Sequence, residues 1–254
     1  MYADINIAKA VEIIQSASYV IALTGAGIST ESGIPDFRSR GGLWEKYDPA
    51  EFATIDAFYS NPDKVWQMLF DMVDLTRNAR PNPGHTALAE LESMNVLKCI
   101  ITQNIDNLHQ EAGSTNVIEY HGNVSRLECL QCGASYEDRE FDVEKIIRDR
   151  IPPLCRKCRS ILKPKVVFFG ETIPRDATIR SQEAAQSADV VLVIGTSAVV
   201  YPAAGIPLIA KQNNATIIEF NIETTGLTNH ATDIFINGLT GTTLPELVRL
   251  IKSS

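Results

Sequence analysis

The sequence predicts an α/β fold, a doubly wound parallel sheet with a smaller domain formed by two insertions. Three observations predict it. Short apolar runs rich in β-branched residues recur at 19–23, 96–102, 117–120, 166–169, 190–194 and 216–220, and continuous runs of this kind suit strands buried on both faces. Helical patterns separate most of them, and strands that alternate with helices pair in parallel. Two stretches, 41–78 and 124–163, break the alternation and read as insertions that pack together.

Taken in order, residues 5–16 place Ile7, Val11 and Ile14 on one helical face. The run Tyr19 to Leu23 leads straight into Thr24-Gly25-Ala26-Gly27. In the first insertion, after Gly41-Gly42, Asn61-Pro62 supplies the cap and first turn of a helix carrying Val65, Trp66, Leu69, Met72 and Val73. Asn82-Pro83 opens another helix, with Ala87, Leu88 and Leu91 in register. The second insertion holds two cysteine pairs and a charged helical segment, Glu137 to Arg150, and Pro174 opens a helix running to about Ser187. The expected division is therefore 1–40, 79–123 and 164–254 for the sheet domain, with 41–78 and 124–163 for the small helical and metal-binding domain.

The 254 residues suit one large domain with a small appendage. A net charge of −8 gives no electrostatic case for nucleic acid or an anionic membrane, and no direct nucleic-acid binding is expected. Residues 1–14 lack the basic and apolar regions of a secretory signal. The apolar runs are too short to span a bilayer, so a cytoplasmic protein is expected.

Four of the five cysteines form Cys129-x2-Cys132 and Cys155-x2-Cys158, separated by 22 residues. Without an export signal this spacing points to metal rather than disulfides. Two thiolate pairs close a tetrahedral S4 site, which predicts one structural Zn2+ and leaves no open position for catalysis. Cys99 lies in a strand run and reads as a small buried apolar residue.

The remaining chemistry gathers after strand runs. Gly25, Ala26 and Gly27 could let backbone approach a diphosphate, but position 30 is Thr30 where the dinucleotide fingerprint has glycine, and a plain tight turn is an alternative. The segment Glu31 to Arg38, with Gly33, Pro35, Phe37 and Arg38, suggests a covering loop. Gln103, Asn104 and Asp106 supply donors and acceptors in one turn, although Asn104 or Asp106 could simply cap the next helix. His121 follows a strand run and precedes Gly122, which makes it the best general base available. His85, His109 and His230 read as structural. Gly195-Thr196-Ser197 and Asn221-Ile222-Glu223 follow further strands, where hydroxyl and amide groups suit phosphate and ribose.

Together these motifs, with Phe168-Phe169-Gly170-Glu171, resemble the sirtuin family, in the family's order and over nearly the whole chain. The resemblance implies a Rossmann-type NAD-binding domain beside a zinc-binding and helical one. It implies an NAD-dependent protein-lysine deacetylase or deacylase that transfers the acyl group to ADP-ribose and releases nicotinamide and O-acyl-ADP-ribose. By that resemblance His121 is the base. Ile105 and Asp106 hold the carboxamide, Gln103 and Asn104 orient the ribose, and Arg38 and the Ala26 amide face the diphosphate. Gly25, Gly27 and Thr30 complete the cofactor loop, and Phe37 covers the reacting face. Gly195, Thr196, Ser197, Asn221, Ile222, Glu223 and Thr240 hold the adenosine half. Acylated lysine in protein substrates is the implied partner. Val167, Phe168, Phe169 and Gly170, with Val199, Val200 and Tyr201, resemble the strands that pair with the substrate main chain.

One departure bears on acyl choice. Family members that prefer succinyl or malonyl groups carry Tyr and Arg where this chain has Leu69 and Met72. Longer neutral acyl chains are expected to be tolerated and acidic ones disfavoured. Two rivals are a zinc-ribbon binding module, which leaves the glycine loop and His121 without purpose, and an ADP-ribosyl transferase using the same NAD site.

Overall fold

The computed structural model describes residues 2–39 and 41–253, with side chains from Ile5 onward. The chain divides into two compact units, one of Met1–Ser32, Arg80–Tyr120 and Pro174–Ser254, the other of Gly33–Ala79 and His121–Ile173. Residues 33–40, 79, 121–123 and 164–173 thus lie in the second unit, whereas the sequence had suggested the sheet domain. Both Phe37 and His121 are among them.

Among the described residues the strands in chain order are β1 (Val20–Thr24), β2 (Leu97–Thr102), β3 (Val117–Glu119), β4 (Gly122–Glu128), β5 (Ser135–Glu137), β6 (Lys163–Val166), β7 (Val190–Ile194), β8 (Thr216–Asn221) and β9 (Ile234–Asn237). The first unit is built on a six-stranded sheet of order β3-β2-β1-β7-β8-β9, parallel at every pairing. The order reverses between β1 and β7. A parallel sheet binds ligands outside the carboxyl ends of its strands at such a reversal. Every residue of β1 and β7 is buried, which is why neither shows polar alternation. Ile7, Val11 and Ile14 of the helix Tyr2–Ser16 join Leu88, Leu91, Leu244, Leu247 and Val248 in the core beside the sheet.

The second unit has a three-stranded antiparallel sheet, β5-β4-β6. Here the sequence reading needs correction. The run at 166–169 was expected to be a strand of the parallel sheet, but β6 ends at Val166 and pairs antiparallel with β4. Phe169 leaves the ladder because its N–H donates to the Ala53 carbonyl at 2.9 Å and its own carbonyl accepts from Ile55 N–H at 3.0 Å. The charged segment Glu137 to Arg150 is also not one helix. Glu137 closes β5, a single turn follows at Asp138–Glu140, and the helix is Val143–Asp149. Asp142 starts it late by accepting from Lys145 N–H at 3.0 Å.

The two insertions meet inside this unit. Trp66, on the helix Pro62–Thr76, donates its indole N–H to the Leu162 carbonyl at 2.9 Å. Asp71 of the same helix accepts from Arg150 at 2.5 Å and Tyr47 at 2.5 Å, and pairs with Lys46.

Candidate active site

The first unit's polar groups gather where β1 and β7 end. Gly25 N–H donates to the Ile194 carbonyl at 3.0 Å and Gly27 N–H to the Gly195 carbonyl at 2.8 Å. A Cβ on Gly25 would lie 2.7 Å from Thr196 Cβ, so the loop rests directly on the end of the neighbouring strand. The loop continues as a short 3-10 helix, Ala26–Ser32, with Thr30 exposed.

The turn after β2 is tied into the same place. Gln103 Nε2 donates to Thr196 Oγ1 at 3.1 Å and to the Thr24 carbonyl at 3.3 Å. Asn104 Nδ2 donates to the Gly25 carbonyl at 3.2 Å and to Ser29 Oγ at 3.1 Å. Ile105 beside it is half-buried. Asp106 does two jobs. Its Oδ1 accepts from Leu108 N–H at 3.0 Å, the capping role considered from sequence, and its Oδ2 accepts from Ser29 Oγ at 2.7 Å.

Ser29 and His85 were not picked out as site residues. Asn82 N–H donates to His85 Nδ1 at 3.3 Å, so Nε2 carries the proton and points it at Ser29 Oγ, 3.5 Å away. Ser29 Oγ in turn donates to Asp106, which links His85 to the turn. Burial pushes His85 down to about 4 against the pull of Asp106 and Glu31, and pushes His109, beside His85, down to about 3. Both imidazoles are neutral at pH 7, and His85 acts as a fixed donor to Ser29. The available signal was the pairing of Ser29 with the Asn82-Pro-Gly-His85 cap, which sequence separation concealed.

At the ends of β7 and β8, Thr196 is buried and Asn221 Nδ2 donates to its carbonyl at 3.1 Å. Ser197, Ile222 and Glu223 are exposed. Thr240 is buried at the start of the helix Thr240–Ser253, where its hydroxyl donates to Glu31 at 3.2 Å and Gly241 N–H donates to the same carboxylate at 2.7 Å. Val199 and Tyr201 are exposed, at 55% and 70%, and Val200 between them is half-buried.

In the second unit, the half-buried His121 stands in the turn just before β4. Its carbonyl accepts from Val167 N–H at 2.8 Å. Gly122 has φ of +78° and a Cβ there would lie 2.1 Å from the Lys165 carbonyl oxygen, so only glycine fits after the histidine. Phe37 packs on Trp44 with ring centroids 5.1 Å apart, and Trp44 lies 6.5 Å from Phe169. Asp36 Oδ1 accepts from the amides of Arg38 at 3.1 Å and Ser39 at 2.8 Å, leaving the Arg38 side chain exposed. Leu69 is buried and Met72 half-buried on the helix Pro62–Thr76.

The four cysteines form one cluster, with all four sulfurs within 4.8 Å of one another. Sγ–Sγ distances are 3.4 Å for Cys129 and Cys158 and 3.6 Å for Cys132 and Cys155. Zinc–sulfur bonds in a tetrahedron put sulfurs about 3.8 Å apart, so the set fits zinc. Two matching turns present them. Gly133 N–H donates to the Cys129 carbonyl at 2.9 Å, and Arg159 N–H to the Cys155 carbonyl at 2.9 Å. Gly133 and Arg159 both have positive φ, +68° and +67°.

Residues 25–202 match the model of the Sir2 family. An NAD-dependent protein deacylase 2 of Pyrobaculum aerophilum is 48% identical over 241 residues, covering 95% of this chain and 94% of that one. The crystal structure of a Sir2 homolog–NAD complex superposes with a TM-score of 0.88 at 45% identity, over 97% of this chain and 94% of the other. A Sir2 protein bound to a myristoylated histone peptide gives 0.85 at 41% identity, over 98% of each chain. With 178 of its 254 residues matched by the family model and this degree of identity to full-length relatives, the chain belongs to the Sir2 family.

Proposed function

We propose that this chain, an NAD-dependent protein deacylase by its family, removes acetyl and longer neutral acyl groups from lysine by transfer to ADP-ribose. The observation that carries the reading is the convergence of Gly25, Gln103, Asn104, Asp106, Thr196 and Asn221 on the carboxyl ends of β1, β2, β7 and β8. NAD supplies a glycosidic bond to nicotinamide whose cleavage creates the acceptor for the acyl group. Asp106, oriented by Ser29, and the Ile105 backbone hold the carboxamide. Asn104 spends both amide protons on Gly25 and Ser29, so its Oδ1 remains to accept from a ribose hydroxyl. Ala26 and Arg38 face the diphosphate, with Gly25, Gly27 and Thr30 shaping the loop. Thr196, Ser197, Gly195, Asn221, Ile222, Glu223 and Thr240 hold the adenosine half. His121 takes the proton from a ribose hydroxyl, and Phe37 keeps water from the reacting carbon.

Acylated lysine is the substrate, presented by a peptide main chain that pairs with the segment Val167 to Gly170 and with Val199 to Tyr201. Leu69 and Met72 give the acyl group an apolar lining that favours neutral chains, and the relative seen with a myristoylated peptide supports tolerance of long ones. The cysteine cluster takes one structural zinc. Among the described residues no helix is long and apolar enough to cross a membrane, and reduced thiols suit the cytoplasm. The test is incubation of the protein with NAD and an acetyl-lysine peptide. Mass spectrometry should find free lysine, nicotinamide and acetyl-ADP-ribose in equal amounts; an ADP-ribosylated peptide would favour the transferase rival.

A further inference from the structure

Lys163 carries a charge into the interior of the second unit. Its side chain is 1% exposed, and a buried ammonium needs both counter-charge and hydrogen-bond acceptors. Nζ lies 3.0 Å from Glu171 and 3.3 Å from Glu128. It donates to the carbonyls of Val166 at 2.7 Å and Pro164 at 3.2 Å, and sits 4.7 Å from the Phe168 ring centroid.

Glu171 is the other half of the clamp. Its Oε2 also accepts from Phe168 N–H at 2.8 Å, and its own N–H donates to the Phe168 carbonyl at 3.0 Å. Both main-chain groups of Phe168 are therefore held by one residue. Those of Phe169 are held by Ala53 and Ile55. The turn between them and Glu171 is Gly170, with φ of +90°. Among the described residues, the Gly170 N–H and carbonyl take no intramolecular partner. The main-chain groups of Phe168 and Phe169 are fixed while this donor and acceptor stay available.

We propose that the Lys163–Glu171 pair is a positioning device for the substrate, which sets the main chain of Gly170 in the register that an acyl-lysine peptide pairs with. This rests on the reading that the peptide adds along Val167 to Gly170. An ion pair is a poor way to stabilise a core, since apolar residues of equal volume do as well or better. It does fix direction. Lys163 orients the carboxylate, and the carboxylate orients the Phe168 amide.

The test uses steady-state kinetics of the zinc-loaded protein, varying acetyl-peptide and NAD separately. Glu171→Ala removes the acceptor for both Lys163 and Phe168, and should raise the peptide KM about tenfold or more while the NAD KM stays within about twofold. Glu171→Gln retains an oxygen that accepts from Phe168, and should restore most of the peptide KM even if the melting temperature falls. Lys163→Arg keeps the charge and should behave like Glu171→Gln. Peptide and NAD KM values that move together, or a peptide KM unchanged in Glu171→Ala, would overturn the proposal. If Glu171→Ala does not fold, a peptide KM raised no further by Glu171→Gln than by Gln110→Ala, a surface control, combined with an unchanged value in Lys163→Arg and a tenfold rise in Lys163→Met, supports it; no rise in Lys163→Met overturns it. Peptides N-methylated at single main-chain positions test the underlying reading. If no methylation raises KM, main-chain pairing fails and the proposal with it; if methylation raises KM but Glu171→Ala does not, pairing stands and only the positioning role falls.

Discussion

Gly27 and Gly195 meet backbone to backbone: the Gly27 amide donates to the Gly195 carbonyl at 2.8 Å, and a Cβ on Gly27 would lie 2.8 Å from Gly195 Cα. The contact joins the end of β1 to the end of β7, the two strands between which the sheet reverses. Gly195 also has φ of +56°, and a Cβ there would come within 2.5 Å of the Ile28 nitrogen.

Gly195→Ala must therefore push the Gly25-Ala26-Gly27 loop, which on the proposed reading faces NAD, away from β7. Strain at positive φ and forced backbone shifts each cost about 1–3 kcal/mol. NAD affinity measured by calorimetry should fall at least about tenfold. Gly113→Ala is the comparison, since Gly113 also has positive φ, +103°, but nothing within 4 Å of the added Cβ. It should lose some stability and keep its NAD affinity. Equal losses of affinity in the two variants would show that the contact does not shape the cofactor site.

Zinc is the second expectation. Cys155→Ala with Cys158→Ala removes one whole turn of the cluster, and the purified variant should lose its one equivalent of zinc by metal analysis. Thiolate ligation contributes to folding energy, so the melting temperature should fall as well. Wild-type protein prepared without added chelator that contains no zinc would refute the assignment.

Acid stability tests the join between the two insertions. Burial raises the Asp71 pKa, but hydrogen bonds from Lys46, Tyr47 and Arg150 outweigh it and bring the carboxyl from 3.8 to about 2. A carboxylate with a depressed folded pKa stabilises the fold above its unfolded value, and that contribution is lost as pH falls from about 4 towards 2. The fall in pKa is worth at most about 2 kcal/mol, less what solvent screens at this partly exposed pair. Asp71→Asn should lower stability near neutral pH and flatten this part of the acid limb. Denaturant melts between pH 2 and 6 would expose a wrong assignment if wild type and variant kept a constant difference throughout.

The elements legible in the sequence are those fixed by local rules. Asn61-Pro62 and Asn82-Pro83 state their helix starts within a few residues, and β1 and β7 announce themselves because every position is buried and all but Thr24 are apolar. Contacts between distant segments were less legible. The run at 166–169 carries no mark of which sheet it joins, because its partner β4 is set by pairing far along the chain. Strand β9 is only four residues, Ile234–Asn237, too short for a periodic signal. Ser29 and His85 are 56 residues apart, and a histidine inside a helical pattern looks structural until the serine it serves is brought to it.

On the proposed reading, Leu69 and Met72 line the acyl pocket and set acyl choice. A succinyl carboxylate against these apolar side chains would lose its hydration without gaining a partner, at a cost of several kcal/mol. Each added methylene of a neutral chain gains about 0.8 kcal/mol when buried. On one peptide, acetyl, butyryl and myristoyl lysine should all be processed and succinyl lysine poorly, by kcat/KM. Leu69→Tyr with Met72→Arg should shift the ratio towards succinyl. An unchanged ratio would mean that these residues do not line the acyl pocket.

On the proposed reading His121 drives acyl transfer to ADP-ribose, and single-turnover product analysis of His121→Ala is the decisive measurement. Loss of a general base costs about 10²–10⁴-fold. The variant should bind NAD as wild type does and form acetyl-ADP-ribose at least about a hundredfold more slowly. Acetyl-ADP-ribose formed at more than about a tenth of the wild-type rate, or a wild type that frees lysine without consuming NAD, would contradict the account.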